Sequence, residues 1–393
     1  MKYPEYIENI ISRLEAAGEE AYIVGGSLRD SLLCIPAHDF DIATSALPEK
    51  TCSIFSDMRV IETGIKHGTV TVIAEGQPVE ITTFRIDGSY TDSRHPDAVT
   101  FTSRIEEDLS RRDFTVNAMA FSPTRGTVDP FGGKEDLEKR IIRAVREPRL
   151  RFSEDALRIM RAFRFSAQLG FSIDEDTLEG AQKTREGLSC IARERISSEF
   201  IKLLTSPSPK EAIRLMEKCG VLCYVCKEYS PSEGILDALE KMPRVDIARM
   251  GVFFSDASQD EIRDILHSLK CSNKQITGTL AVARGARVCV DSPRAATALI
   301  AKVGDYAPLA VKASLLLGVS PPVAESYVER NRAPSKISEL CVNGRDLLEI
   351  GFSGKDIGRV LGLLLEVAME SPEKNERRAL LEIAQGLWKE ENT

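Results

Sequence analysis

The sequence predicts an α+β protein in which a mixed α/β domain at the N-terminal end is followed by all-helical domains. Up to about residue 145, short β-rich runs alternate with helical stretches, the pattern of a mixed α/β domain. After that point, nearly all periodic segments have the 3.6-residue spacing of helices. The chain of 393 residues, 42% of them apolar, is long enough for about two to four packed units.

Four apolar runs predict the strands of the N-terminal domain: AYIVGG, DFDIAT, TVTVIAEG and VEITTF. Beyond residue 145, six segments repeat their apolar residues at helical spacing. They read EDALRIMRAFRFSAQLG, RISSEFIKLLTS, PKEAIRLMEKCG, DEIRDILHSLK, VKASLLLG and GKDIGRVLGLLLEVAME. Pro- and Ser-rich stretches at 206–209, 229–234 and 319–322 predict breaks between helical units.

The composition argues against a membrane or secreted protein. No apolar run approaches the ~20 residues of a membrane span, and the start MKYPEYIENIIS lacks the layout of a signal peptide. Nine cysteines, an odd number at irregular spacing, are typical of free thiols in a reducing compartment. Cys219, Cys223 and Cys226 have a spacing also used for iron–sulfur clusters, but the apolar residues between them favour a buried, thiol-rich turn. We therefore expect a cytoplasmic protein.

The net charge of −8 argues against a protein that coats nucleic acid nonspecifically, so any RNA contact has to be local. Between residues 139 and 164, arginines are far more frequent than in the rest of the chain. They are Arg140, Arg143, Arg146, Arg149, Arg151, Arg158, Arg161 and Arg164. A charge run is most often a solvated helix face, but arginine in place of lysine favours recognition of phosphates or bases.

A glycine pair opens the first segment with a chemical signature, GGSLRD. Gly25 and Gly26 follow the predicted strand AYIV and precede a predicted helix, SLRDSLL. Glycine lets the backbone approach a phosphate closely, while the start of a helix and the Arg29 side chain supply donors and positive charge. A Gly-Gly turn before a helix is common, so the motif alone is also compatible with a structural turn.

Acidic residues follow about ten positions later, in HDFDIAT. If DFDIAT is a strand, Asp39 and Asp41 project from the same face, because side chains alternate along a strand. Two neighbouring carboxylates repel each other unless a cation lies between them, so the pair is suited to Mg²⁺. Glu80, in a later predicted strand, is a candidate third catalytic carboxylate for two-metal phosphoryl transfer, and it also fits an ordinary exposed strand residue.

Six motifs in a fixed order carry a family resemblance over residues 20–205. They are GGSLRD, DFD, RRDFTVNA, DPFGGKEDL, EDALRIMRAFRF and ERISSE. In order and spacing they resemble the motifs of class II CCA-adding enzymes, a family that also contains bacterial poly(A) polymerases. The segment at 343–366 looks like the tail of the family's shorter bacterial members. With four histidines and no His-Asp dipeptide after residue 38, the chain cannot hold the HD phosphohydrolase domain of other members.

The resemblance implies a nucleotidyltransferase head (1–145), a neck that selects the nucleotide (146–205), a body (206–318) and a tail that binds tRNA (319–393). It implies transfer of CMP, CMP and AMP from CTP and ATP to the 3′-OH of tRNA, with contacts to the acceptor stem. Asp39 and Asp41 would hold magnesium, with two Mg²⁺ ions in all. The residues implied for nucleotide binding are Gly25, Gly26, Arg29, Arg112, Asp113, Asn117, Asp155, Arg158, Arg161 and Arg164.

Asp155 and Arg158 offer a physical reason for choosing C and A. On a helix, residues three apart are neighbours, so a carboxylate acceptor and a guanidinium donor can present one edge. Cytosine and adenine each carry an exocyclic amine beside a ring-nitrogen acceptor, whereas uracil and guanine invert this pattern. The wrong bases would leave buried polar groups opposed or unpaired. Without the other motifs, an ordinary surface ion pair would explain the same two residues.

Three other functions stay open: an A-adding partial tRNA nucleotidyltransferase, a bacterial poly(A) polymerase and a noncatalytic RNA-binding relative. The polar segment at 85–97, RIDGSYTDSRHPD, fits a mobile loop. In the family, such a loop is associated with the switch to ATP, which argues against a CC-only enzyme but not against an A-adding one. The poly(A) branch carries a motif and a basic extension that this sequence lacks, and intact motif residues disfavour a noncatalytic relative.

Overall fold

The structure is a computed structural model that describes residues 3–37, 39–87, 99–331 and 333–391. The chain divides into two compact units, Met1–Lys227 and Glu228–Thr393. The first unit contains the sheet and all of the motifs that the sequence singles out up to ERISSE. No helix in the described part of the chain combines the length and apolar character that a membrane span requires.

A mixed sheet forms the centre of the first unit. Its strands, with those of a neighbouring hairpin, are β1 (Ala21–Val24), β2 (Asp41–Thr44), β3 (Arg59–Ile61), β4 (Thr69–Ala74), β5 (Gln77–Thr83), β6 (Arg85–Asp87), β7 (Val99–Phe101), β8 (Ala120–Ser122) and β9 (Gly126–Val128). Within the described residues, seven strands pair in the order β3-β4-β5-β2-β1-β8-β9, while β6 and β7 form a separate antiparallel pair. Strand β1, at the interior of the sheet, is buried along its whole length.

Parallel pairing of β2 with β5 positions two carboxylates side by side. In this register Asp41 lies opposite Glu80, and Ile42 lies opposite Ile81. Both isoleucines are buried, whereas Asp41 and Glu80 are exposed. Because side chains alternate along a strand, burying the isoleucines in the core turns the two carboxylates to the opposite face.

Helices surround this sheet and complete the first unit. They are α1 (Glu5–Ala16), α2 (Gly26–Leu32), α3 (Pro48–Ile54), α4 (Ile105–Ser110), α5 (Gly133–Lys139), α6 (Pro148–Glu154), α7 (Leu157–Leu169), α8 (Glu175–Thr184), α9 (Arg193–Leu204), α10 (Pro209–Lys218) and α11 (Cys223–Cys226), with 3-10 turns at Ile65–His67, Thr115–Asn117 and Arg185–Cys190. Helix α7 packs against both α9 and α10. One buried cluster joins the strand residues Tyr22, Val24 and Ala43 to Leu109 of α4 and to Val145.

The second unit is helical throughout its described residues. Its helices are α12 (Glu233–Lys241), α13 (Asp246–Phe253), α14 (Gln259–Ser268), α15 (Asn273–Ala286), α16 (Pro293–Val303), α17 (Ala307–Leu316), α18 (Ala324–Glu329), α19 (Gly344–Ile350), α20 (Lys355–Glu370) and α21 (Arg377–Glu391), with 3-10 turns at Gly304–Tyr306, Ile337–Glu339 and Pro372–Lys374. Helix α15 packs against α13 and α17. Gly251 permits one of these approaches, since a Cβ there would lie 2.4 Å from Cγ1 of Val282.

The predicted fold class is confirmed, with differences in detail. The four predicted strands are present, and each Pro- and Ser-rich stretch separates two helices. Strand β2 begins at Asp41, so Asp39 precedes the strand rather than belonging to it. The predicted all-helical neck contains a two-residue strand, β11 (Ser172–Ile173), which pairs in parallel with β10 (Ile141–Ile142). The four-part division into head, neck, body and tail stays a prediction.

Two further expectations concern segments outside the sheet. The predicted mobile loop at 85–97 begins in strand β6, and its residues 88–97 lie outside the described residues, as does His38. In the predicted buried turn, Cys219 and Cys226 are buried but Cys223 is exposed. The described residues hold no group of three His, Cys, Asp or Glu side chains arranged to bind a metal.

Candidate active site

A cleft of about 450 Å³ in the first unit gathers the residues that the sequence singles out. Among the described residues, its lining includes seven arginines and three aspartates, so the cleft is locally positive although the chain is acidic. All ten of the predicted nucleotide-binding residues line it: Gly25, Gly26, Arg29, Arg112, Asp113, Asn117, Asp155, Arg158, Arg161 and Arg164. The predicted catalytic residue Asp41 is also part of the lining. The structure therefore brings together in one cavity predicted residues up to 139 positions apart in the chain, from Gly25 to Arg164.

The glycine pair forms the turn between β1 and α2. Gly25 has a φ of +74°, in the region that favours glycine. A Cβ at this position would lie 3.2 Å from Nη1 of Arg112 and 3.7 Å from Oδ2 of Asp41. The absence of a side chain therefore keeps open the space between a cationic residue and an acidic one.

Arg29, on α2, is held in the cleft by side chains from the RRDFTVNA segment. Its Nη1 donates to Oδ1 of Asn117 at 2.8 Å, and the Asn117 amide donates to Oδ1 of Asp113 at 3.1 Å. The other Asp113 oxygen accepts from Nε of Arg161 on α7 at 2.7 Å. A continuous hydrogen-bonded chain thus links α2, the RRDFTVNA segment and α7.

Asp113 is the anionic centre of this chain. Burial on its own would raise the pKa of its carboxyl, but the Arg161 guanidinium and the Asn117 amide lower that pKa to about 2. The side chain is 8% exposed. Asp113 is therefore ionised at neutral pH and fixes the position of Arg161.

Arg112 and its neighbour Arg111 share one buried carboxylate. Asp108 accepts from Nε of Arg111 at 3.0 Å and from Nη2 of Arg112 at 3.2 Å. Burial opposes ionisation of Asp108, but the two guanidiniums keep its pKa below the ordinary value. The sequence analysis did not identify Asp108 or Arg111 as site residues, although RRD placed Arg111 next to a predicted one.

Asp39, Asp41 and Glu80 form the acidic side of the site. Although Asp41 as a whole is exposed, partial desolvation of its carboxyl is the main cause that raises its pKa to about 6. Glu80 and Asp39 raise that pKa further, while Arg112 opposes them. Neighbouring carboxylates that repel one another are suited to a shared cation, and oxygen donors suit Mg²⁺. The donor chemistry of Asp39 and Asp41 therefore fits the predicted magnesium site. Asp39 and Glu80 are exposed and are not part of the cleft lining as described.

Asp155 departs from the predicted helical arrangement. It has an extended backbone, with φ −143° and ψ 101°, and separates α6 from α7, so its carboxylate is not stacked on Arg158 along a helix. One carboxylate oxygen accepts from the Leu157 amide at 3.0 Å, and the other accepts from Nη2 of Arg195 at 3.1 Å. The carboxylate is fixed by these two donors, and it lines the same cleft as Arg158.

Arg158 is buried and anchored by backbone and acidic acceptors. Nη1 donates to the Arg151 carbonyl at 3.1 Å and to Oε2 of Glu154 at 2.8 Å, and Nη2 donates to the Arg111 carbonyl at 3.0 Å. These described contacts use three of the five guanidinium N–H groups, which leaves Nε–H and one Nη2–H as donors to a ligand.

The ERISSE segment, whose role the sequence left open, supports the cleft from α9. Glu199 is buried and accepts from Nε of Arg164 at 2.5 Å, while Arg195 holds Asp155. Gln168 also accepts from Nη1 of Arg164, at 2.7 Å. The sequence analysis missed Arg195, Glu199, Gln168 and Phe165 as site residues. The ERISSE motif was the available signal for the first two.

Most of the arginine-rich stretch does not face the cleft. Of the eight arginines, only Arg158, Arg161 and Arg164 line it. Arg143 pairs with Asp136 and Asp174, and Arg149 pairs with Glu179. These two arginines are thus paired with carboxylates of the first unit, and the expectation that the run as a whole recognises phosphates or bases stays a prediction.

Two family models match the chain. "Poly A polymerase head domain" matches residues 21–143. "Probable RNA and SrmB- binding site of polymerase A" matches residues 170–232. The first match covers the sheet and the RRDFTVNA segment, and the second begins at the end of α7.

The similarity to known proteins covers nearly the whole chain. The CCA-adding enzyme of Limosilactobacillus fermentum is 37% identical over 388 residues, which cover 97% of this chain and 96% of that protein. The Bacillus stearothermophilus CCA-adding enzyme, solved in complex with CTP, is 32% identical, with a TM-score of 0.83 and full coverage of both chains. The Thermotoga maritima CCA-adding enzyme, solved with tRNA_CCA, is 23% identical and shares the fold, with a TM-score of 0.71 over 98% of this chain and 96% of that one.

Proposed function

The chain belongs to the family of CCA-adding enzymes, and from this membership we propose that it adds or repairs the 3′-terminal CCA of tRNA. It transfers CMP, CMP and AMP from CTP and ATP to the tRNA 3′-OH and releases pyrophosphate. The observation that carries the proposal is the cleft, in which all ten predicted nucleotide-binding residues lie beside Asp41. The family relationship covers nearly the whole chain, which supports extending the activity to it.

The triphosphate binds at the arginine-rich part of the cleft. At Gly25 and Gly26, in the turn before α2, no side chain separates the backbone from a bound phosphate. Arg29 and Arg112 supply fixed guanidiniums nearby. Guanidinium groups form paired, charge-assisted hydrogen bonds with phosphate oxygens. Because Asn117 and Asp108 already orient these side chains, little conformational entropy is lost when the nucleotide binds.

Base choice is made by side chains rather than by a nucleic-acid template. The Asp155 carboxylate keeps lone pairs that accept from the exocyclic amine of cytosine or adenine. Arg158 donates to the adjacent ring nitrogen from one of its two remaining N–H groups, on Nε or Nη2. Uracil and guanine would place an acceptor against Asp155 and a donor against Arg158, so both are rejected. Both side chains are fixed by the protein, which keeps this pattern constant.

Two Mg²⁺ ions complete the site in this proposal, with Asp39 and Asp41 as ligands and Glu80 as the third catalytic carboxylate. The register that places Asp41 opposite Glu80, and the effect of Glu80 in raising the pKa of Asp41, support the assignment. When bound, the metal ions activate the attacking hydroxyl and stabilise the departing pyrophosphate. The protein residues hold the carboxylates in position on the sheet.

We place the reaction in the cytoplasm, which the free cysteines support: all nine lie in the described residues and none is in a disulfide. Residues 319–393 are assigned to tRNA binding from the family resemblance. The loop at 85–97 is assigned to the switch from CTP to ATP on the same basis. Deleting its central residues is expected to stop addition after CC.

The test incubates the purified protein and Mg²⁺ with tRNA lacking its last three nucleotides. CTP alone should give two additions, and a third should appear only when ATP is also present. Addition of A only to tRNA ending in CC would identify an A-adding enzyme instead, and long tails from ATP alone would identify a poly(A) polymerase. The Asp39→Ala chain is the control, and it should lose addition of both nucleotides while still binding tRNA.

A further inference from the structure

The ring of Phe165 lies at the centre of three cleft arginines. The guanidinium carbon of Arg164 is 3.7 Å from the ring centroid, and those of Arg29 and Arg161 are each 5.2 Å from it. All three distances are within the ~6 Å range over which a cation is attracted to an aromatic face. One ring therefore contacts guanidiniums from two helices, α2 and α7.

A second aromatic ring, that of Phe114, supports Phe165. Its ring meets the ring of Phe114 edge-on, at a centroid distance of 5.8 Å and an interplanar angle of 79°. Phe114 is fully buried in the RRDFTVNA segment, and Phe165 is 5% exposed. An edge-on contact of this kind is favourable for two aromatic rings, so Phe165 is a rigid support rather than a mobile side chain.

Carboxylates fix each of these arginines from another direction. Arg29 pairs with Asp30, Arg161 pairs with Asp113, and Arg164 pairs with Glu199. Hydrogen bonds from a guanidinium lie in its plane, so the flat faces remain for stacking. The acidic partners and the ring therefore do not compete for the same part of each guanidinium.

Packing three cations along one wall is costly. Burial lowers the pKa of Arg164, and although Glu199 opposes that effect, the neighbouring Arg161 adds to it. A further carboxylate between the arginines would relieve the repulsion but would cancel the positive charge that an anionic ligand requires. An aliphatic side chain would keep the charge but would offer the cations no attraction. An aromatic ring attracts the cations and leaves their charge intact.

We propose that Phe165 is a positioning residue that holds Arg29, Arg161 and Arg164 in the arrangement that binds the triphosphate of the incoming nucleotide. The inference rests on the proposed function for the identity of the ligand. Phe165 acts through the three arginines and does not itself contact the phosphates. Its contribution depends on the negative face of the ring and not only on the ring's volume.

The test replaces Phe165 in the full chain with a series of phenylalanines carrying increasing numbers of ring fluorines. Fluorination keeps the ring in place while removing the negative charge from its face. The probe is inorganic tripolyphosphate, whose dissociation constant is measured by calorimetry. Affinity should fall stepwise along the series, by about ten-fold at the fully fluorinated ring. The same series at Phe163, fully buried on the same helix and outside the described lining, is the matched control.

A purely structural role predicts another result. The melting temperature would then change equally in both series, and tripolyphosphate affinity would not follow the number of fluorines, which would overturn the proposal. Phe165→Tyr keeps an aromatic face and should bind the probe about as well as the unmodified chain, whereas Phe165→Leu should not. A tyrosine variant as weak as the leucine variant would also overturn it.

The probe separates this inference from the proposed function. Tripolyphosphate binding requires neither a nucleobase nor tRNA, so it can be measured in a chain that transfers no nucleotide. Absence of CCA addition with a clear fluorine dependence would reject the proposed function alone. Normal CCA addition with no fluorine dependence would reject the role of Phe165 alone.

Discussion

Asp113 is a single buried charge on which the position of Arg161 depends. Replacing it with asparagine keeps the shape but leaves the guanidinium without its anionic partner. We expect Asp113→Asn to lower the free energy of unfolding at pH 7 by about 2 kcal/mol, because the partly buried Arg161 guanidinium loses its charge-assisted hydrogen bonds. Urea unfolding of the two chains measures the difference.

The pH dependence of that loss has a definite sign. The pKa of Asp113 in the folded chain, about 2, is below its unfolded value, so its stabilisation is fully present above about pH 4. It is lost as the pH falls through the folded pKa. The difference in the free energy of unfolding between the parent and Asp113→Asn chains should therefore decrease toward pH 2. A difference that stayed constant would contradict the assigned ion pair.

Asp41 gives a second pH dependence, although its pKa is raised rather than lowered. Its pKa is raised to about 6, so the carboxyl is increasingly protonated below that pH, and a metal ion then has to displace the proton. The Mg²⁺ concentration for half-maximal transfer should rise as the pH falls from 7.5 to 5.5. Glu80→Gln removes one cause of the raised pKa and should move this rise to lower pH. An unchanged Mg²⁺ requirement across the range would argue against Asp41 as a ligand.

Arg158 should affect base choice more than metal binding. We expect Arg158→Ala to reduce the preference for CTP over UTP by about 10- to 100-fold in kcat/KM, because the donor that opposes the wrong base is removed. The Mg²⁺ requirement should stay the same. Arg149→Ala is a matched control, since Arg149 is exposed and pairs with Glu179. Equal loss of preference in both variants would mean that the effect is not specific to the cleft.

At the scale of secondary structure, patterns identified the long or strongly alternating elements and missed the short ones. AYIV and TVTVIA were recognisable as β1 and β4 because their apolar residues are buried in the sheet. The break at Asp155 was not recognisable, because apolar periodicity continues through it. Its extended backbone is accompanied by contacts with Leu157 and with Arg195, which lies 40 positions away.

In the candidate site, the sequence showed the residue types but not how the side chains are oriented. The sequence identified most of the side chains that line the cleft, because each belongs to a motif with a recognisable residue type. It could not identify what orients them. Arg158 is fixed by the carbonyls of Arg111 and Arg151, and backbone acceptors of this kind leave no trace in residue identity.

Close helix packing in the second unit depends on Gly251 of α13. Gly251→Ala would bring a Cβ to 2.4 Å from Cγ1 of Val282, so we expect a loss of about 1–3 kcal/mol in the free energy of unfolding. Gly234→Ala is the control, because a Cβ there meets nothing within 4 Å. In that variant the better helix propensity of alanine should give a gain of up to about 1 kcal/mol.

A double-mutant cycle tests the cause of the loss. Val282→Gly removes both clashing atoms, Cγ1 at 2.4 Å and Cβ at 2.5 Å, so combining it with Gly251→Ala should cost less than the sum of the single changes. Circular dichroism during urea unfolding supplies all four free energies. Additive effects would show that the two side-chain positions do not compete for the same space.

At the scale of the whole molecule, the described lining of the cleft lies within residues 25–195 of the first unit. Saturating CTP should therefore slow amide hydrogen exchange in α2 and α7 while leaving α13 and α15 unchanged. At about 100 times the dissociation constant, binding stabilises the state that holds the ligand by about 2.7 kcal/mol. Equal protection in α13 and α15 would contradict a site confined to the first unit.

The fixed carboxylate of Asp155 has a consequence for inheritance. A template-dependent polymerase copies its sequence from a nucleic acid, and an error in one copying event alters one product molecule. In the proposed function the choice of the last three nucleotides depends instead on side chains of the fold, among them the Asp155 carboxylate that the Leu157 amide and Arg195 hold in place. An inherited substitution at residue 155 would therefore cause a systematic error, in which the same wrong nucleotide is added to every tRNA that the altered protein completes.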